Sequence, residues 1–87
     1  MTKQQFLDGK SFSLPYTYSN NATYKCDDEN KCLVQEYRTK EGKVLISDYL
    51  MNISKIGNKM VTCFTYILGT KITKKIRYED MVEVTSA

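Results

Sequence analysis

The chain predicts an all-β fold with a short N-terminal helical turn: a single small antiparallel sheet, or a curled barrel of five or six strands, with a meander in its C-terminal half. Three observations carry this expectation. Residues 43–56 (KVLISDYLMNISKI), 59–68 (KMVTCFTYIL) and 71–78 (KITKKIRY) are rich in Ile, Val, Tyr and Thr, the residues of strands rather than helices. Gly57-Asn58 and Gly69-Thr70 separate these runs, each a dipeptide with Gly first, as a two-residue type II′ hairpin turn requires. The chain has only four Gly and one Pro, so its breaks are few and readable.

The elements follow in order. Thr2-Lys3-Gln4-Gln5 fits a capping box with Gly9 as the stop, so residues 3–8 predict one or two helical turns anchored by Phe6 and Leu7. A helix that short is unstable alone and has to dock on a core. Phe12 and Leu14 alternate with Ser11 and Ser13, a short strand ended by Pro15. Residues 16–21 read as a loop, 22–26 and 31–39 as the next two strands, and Lys40-Glu41-Gly42-Lys43 as a turn. In the long run 43–56, Asp48 and Asn52 interrupt the apolar pattern, which predicts a bulge or bend. Met81-Val82-Glu83-Val84 reads as a closing strand after a turn at Glu79-Asp80.

Eighty-seven residues bound one domain, residues 1–9 a helical turn or leader and 10–85 the β-domain. Such a chain buries only about 60–65% of its extended surface, enough for one modest core. Its 41% hydrophobic and 26% charged content is that of a globular domain, and a net charge of +3 permits an anionic partner without requiring one. No run approaches the ~20 apolar residues of a membrane span, and MTKQQFLDGK has no apolar signal region. The expectation is a cytoplasmic protein that engages no membrane.

Two-residue loops fix register. Across Gly57-Asn58 they set Ile53 against Thr62 and Met51 against Phe64. Across Gly69-Thr70 they set Ile67 against Ile72, Cys63 against Ile76, and Val61 against Tyr78. One face of the meander then carries Leu50, Ile56, Val61, Cys63, Ile67, Ile72, Ile76 and Tyr78, the expected core. The other carries Tyr49, Met51, Ile53 and Lys55, then Phe64 and Tyr66, then Lys71, Lys75 and Arg77, with Phe64 facing Lys75 and Tyr66 facing Thr73. The alternation resembles SH3-like and OB-like small barrels in architecture, without a motif of either. A compact, His-free chain bearing Lys and Asn is also the composition of small phage-encoded or accessory proteins.

Catalysis finds little support. The chain has no His, which removes Ser–His and Cys–His pairs and imidazole-ligated metals. Its glycines are single and form no phosphate loop. The carboxylates Asp27-Asp28-Glu29 and Glu79-Asp80 are neighbours on turns, where solvation is the norm. Cys26 and Cys32, five residues apart, are too far apart for CxxC redox chemistry. With Cys63 they make at most three thiolates, short of a zinc site. We therefore expect no enzyme, cofactor or metal, and read CDDENKC (26–32) as a hairpin turn with Cys26 facing Cys32 across its ends. The basic–aromatic face is the one constellation with a mechanism. Lys and Arg on one strand can neutralise phosphates while Phe and Tyr on the next stack on exposed bases. Lys55, Phe64, Tyr66, Lys71, Lys75 and Arg77, with Tyr49 at the margin, form the candidate surface for single-stranded nucleic acid. A protein partner, or self-association as a homodimer through the same face, is the alternative.

Overall fold

The structure is a computed structural model and describes residues 1–15 and 22–84; the loop read at 16–21 lies outside the described residues. It is mostly β, a single antiparallel seven-stranded sheet curled into a half-barrel. The strands are β1 (Phe12–Ser13), β2 (Ala22–Asp27), β3 (Cys32–Arg38), β4 (Val44–Ile56), β5 (Met60–Ile67), β6 (Thr70–Arg77) and β7 (Val82–Glu83). Their order across the sheet is β6-β5-β4-β3-β2-β1-β7. Seven strands rather than five or six result because the two-residue β1 and β7 pair with each other, Phe12 with Glu83 and Ser13 with Val82. Among the described residues the sheet does not close into a barrel: β6 and β7 stand at its two edges.

Helix α1 (Lys3–Leu7) plugs one end of the curl. Its capping box forms as the residues dictate: the Gln5 amide donates to the Thr2 hydroxyl at 3.1 Å, and the Thr2 amide donates to Gln5 Oε1 at 2.9 Å. Phe6 enters the core between Phe12 (ring centroids 6.0 Å apart) and Tyr78 (5.7 Å). The Met1 ammonium donates to the carbonyls of Tyr78 and Met81 at 2.8 and 2.7 Å, stapling the first residue to the 3-10 turn Tyr78–Asp80. Around Phe6 pack Phe12, Tyr24, Cys26, Leu33, Met51, Val61, Cys63, Ile76 and Met81. Burying a side chain such as Phe6 contributes about 1.5–3 kcal/mol, which fixes a helix too short to stand alone.

Both meander turns differ from expectation. Ile56 pairs with Val61, so Gly57, Asn58 and Lys59 connect the strands, and the Gly57 amide donates to the Met60 carbonyl at 2.9 Å. A Cβ on Gly57 would lie 2.9 Å from that oxygen, so the close approach requires glycine. The second loop is Leu68-Gly69, with Ile67 paired to Thr70 and φ of 50° and 80°, the signature of a type I′ turn. Gly occupies the second central position rather than the first, and Leu68 accepts a left-handed φ because the primed turn matches the twist of its strands. Each loop moves the register by two residues, which changes partners and keeps faces. Phe64 therefore opposes Thr73, Tyr66 opposes Lys71, Val61 opposes Ile76, and Cys63 opposes Lys74.

Strand β4 departs further. The ladder with β5 slips between Ile53 and Lys55, and the ladder with β3 slips between Leu33 and Val34 and again between Tyr37 and Arg38, leaving Ser54, Leu50 and Leu45 as extra residues. These bulges realise the bend expected near Asp48 and Asn52, and they reverse the faces of two residues. Met51 opposes buried Leu33 and Ile53 opposes buried Cys63, so both turn to the core and not to the outer face. Ile67 and Ile72, expected in the core, lie on the inner face beyond it and are exposed. At the other turn, Cys26 opposes Leu33 and Asp27 opposes Cys32. The two thiols are one register step out of facing and point to opposite sides of the sheet.

Candidate nucleic-acid interface

The outer face of β4–β6 is built in three rows. Lys55, Thr62 and Lys75 share the first, Asn52, Phe64 and Thr73 the second, Tyr66 and Lys71 the third. Rows follow one another at about 7 Å and strands at about 4.8 Å, so Lys55 and Lys75 flank Thr62 some 10 Å apart at the backbone. Tyr66 is 61% exposed, and Phe64 is half-buried with its ring meeting that of Tyr66 edge to face at 6.1 Å. The Lys71 ammonium sits 4.7 Å from the Phe64 ring centroid, a cation–π contact that presents charge and aromatic surface together.

The candidate residues do not all join this surface. Arg77 lies one row further on, opposite Met60. Its guanidinium bonds to Glu79 Oε1 at 3.0 Å and to Asp80 Oδ2 at 3.1 Å, so carboxylates from the 3-10 turn already match its charge. Tyr49 opposes Val34 on the part of β4 that pairs with β3 alone, and there it lines a separate groove with Lys25, Asp27 and Asp48. Asn52, read from the sequence as a break in the β4 run and not as part of the surface, stands beside Phe64. Lys55, Phe64, Tyr66, Lys71 and Lys75 remain together.

Electrostatics localise the surface. Towards β2 and β3 the cations of the outer face share a carboxylate: buried Glu36 accepts from the Ser11 hydroxyl at 2.7 Å and lies 3.6 Å from Arg38 and 3.8 Å from Lys25. Towards β6 the three rows hold Lys55, Lys71 and Lys75 and not one carboxylate. Positive potential thus gathers on β4–β6 although the whole chain carries only +3.

The thiols lie elsewhere and are poor nucleophiles. Burial pushes Cys63 up to about 11, and burial, helped by Asp28 and Asp27, does the same to Cys26. Asn30 donates from its side chain and backbone to Asp27, which holds that carboxyl below its usual range as part of an Asx turn. Among the described residues no three Cys, Asp or Glu groups cluster as metal ligands would, and no helix is long and apolar enough to cross a membrane. Compared with protein-family models, with curated proteins and with solved structures, the chain matches none.

Proposed function

We propose that the chain is a small non-catalytic binding module that holds single-stranded nucleic acid on the outer face of β4–β6. One observation carries the reading: Phe64 and Tyr66 stand edge to face at the surface, bracketed by Lys55, Lys71 and Lys75, on rows without a carboxylate. Bases stack on the rings while the ammonium groups neutralise the backbone, a division of labour that tolerates any sequence. Arg77 is outside the set because its charge is already matched. A cytoplasmic location belongs to the same reading, supported by Cys26 and Cys32 lying out of facing register. The extended apolar surface that a protein partner would use lies on the other arm of the sheet.

Anisotropy of labelled single-stranded DNA and RNA oligonucleotides, titrated at stepped salt, tests the proposal. Binding should weaken steeply as salt rises and vanish in the Lys55→Glu/Lys75→Glu double variant at unchanged circular dichroism. Undetectable binding at low ionic strength, or binding indifferent to salt, would refute it.

A further inference from the structure

Strand β4 changes partners half-way along. Residues Val44–Met51 pair with β3, Ile53–Ile56 pair with β5, and only Asn52 has a ladder partner on both sides. Above Asn52 the β3–β4 and β5–β6 hairpins therefore separate, and alternate N–H and C=O groups of residues 44–51 point away from β3 with no strand beside them among the described residues. Every residue from Lys43 to Tyr49 is exposed, with Leu45 at 63%, Ile46 at 53% and Tyr49 at 55%. An edge that is apolar on both faces and unpaired along its backbone is what folded proteins ordinarily blunt.

The other edges of this sheet are blunted. β6 carries Lys71, Lys74, Lys75 and Arg77 among its eight residues, and β7 is two residues long. The segment from Val44 to Leu50 carries one charge, Asp48. An apolar ligand or a lipid would cover the side chains and leave the ladder groups unpaired, whereas a strand satisfies both.

We propose that this edge pairs antiparallel with the same edge of a second copy, making a two-fold dimer with one continuous ladder. A two-fold axis perpendicular to a sheet sets a residue against its own symmetry mate. Centred on Ser47, the ladder puts Ser47 against Ser47, Ile46 against Asp48 and Leu45 against Tyr49, with no like charges directly opposed; centred on Asp48 it would oppose two carboxylates. The area is of the right order. A standard interface takes about 800 Å² from each partner, somewhat over half of it apolar. At roughly 200 Å² for a fully exposed large side chain, the exposed parts of Val44, Leu45, Ile46 and Tyr49 on β4 itself offer up to about 400 Å². Because the axis preserves faces, both basic–aromatic surfaces end on the same side of the joined sheet.

Sedimentation across low to high micromolar protein should show a species of twice the 10.1 kDa chain mass. Ser47→Lys sets two ammonium groups against each other at an exposed position and should give monomer throughout, with unchanged circular dichroism. Leu68→Lys, fully exposed on the other hairpin, should leave the dimer intact. Ser47→Cys should cross-link to a covalent dimer under oxidised glutathione, while the native chain, whose three thiols are buried, should not. A native protein that stays monomeric, a dimer that survives Ser47→Lys, or a Ser47→Cys variant that fails to cross-link would each overturn the proposal.

Discussion

Tyr66→Ala separates the stacking and charge contributions at the proposed nucleic-acid surface. Tyr66 is 61% exposed and touches Phe64 only edge to face, so its loss should cost folding no more than about 1 kcal/mol. Stacking on such a ring is worth about 1–3 kcal/mol per base, so affinity should fall by roughly 5- to 150-fold. The salt dependence should not move, because no charge is removed. With three lysines neutralising phosphates, log affinity should fall with log salt at a slope of about −2, about 0.7 for each contact. Lys75→Gln should reduce the slope to about −1.4. Arg77→Gln should leave it at the native value, since Glu79 and Asp80 already hold that guanidinium. The assay is anisotropy of a labelled oligonucleotide with native protein and the three variants over a common series of salt concentrations. The reasoning fails if Tyr66→Ala changes affinity by less than about twofold, near 0.4 kcal/mol. It fails equally if Arg77→Gln flattens the slope as much as Lys75→Gln does.

Two further outcomes test the fold beneath the surface. Phe6→Ala empties a fully buried ring site between Phe12 and Tyr78 and should cost about 3–5 kcal/mol in urea unfolding, most of what a chain this size holds in reserve; a loss below about 1 kcal/mol would mean that α1 is not docked. The raised thiols set an alkaline limit: Cys26 and Cys63 stay protonated in the fold up to about 11, while unfolded thiols ionise near 8.5, so their share of stability is complete below pH ~8.5 and is lost as pH rises towards 11. The urea midpoint should fall across that window, and Cys63→Ala should fall less steeply from its lower starting point.

Much of the architecture was legible because it is local. The Thr2–Gln5 capping box, the left-handed Gly42 (φ 88°) and the alternation of β5 and β6 are each fixed by residues a few positions apart. Turn types were harder. A left-handed Leu68 costs energy that short-range rules count against it, and only the twist of the paired strands recovers that cost. The face assignments on β5 and β6 survived because the register error was an even number. The β4 assignments of Met51 and Ile53 failed because Ser54 becomes an extra residue and is not the Gly that commonly marks a bulge, whereas the bulge at Leu50 returns Tyr49 to the outer face. Ile67 and Ile72 show a different limit. Alternation placed them on the inner face, but burial depends on what packs above that face, and α1 covers only the opposite end of the curl.

Of the candidate site, residue identities were readable and partner relations were not. Lys75 and Arg77 look equivalent along β6, two residues apart on one face. The 3-10 turn after Arg77 brings Glu79 and Asp80 back against its guanidinium and leaves Lys75 facing Thr62. An i, i+3 relation between Arg77 and Asp80 is visible in the sequence, but its significance depends on the turn that closes it.

The bends in β4 join these results. If β4 ran straight beside both neighbours, Leu50 would continue its pairing towards Tyr66, and the apolar run from Val44 would be a central strand covered on both edges. The bulges at Leu50 and Ser54 instead pass the strand from β3 to β5 at Asn52. This turns Met51 and Ile53 into the core, where they meet Leu33 and Cys63 and help a small chain close over Phe6. It also opens the sheet above Asn52, so the surface gained as core at one end of β4 is matched by exposed edge at the other. A single-copy protein would carry that edge as a liability for uncontrolled pairing. In the proposed dimer, pairing it once about a two-fold axis uses it up and aligns two lysine-and-tyrosine faces, so the same distortion that completes the core would also double the proposed binding surface.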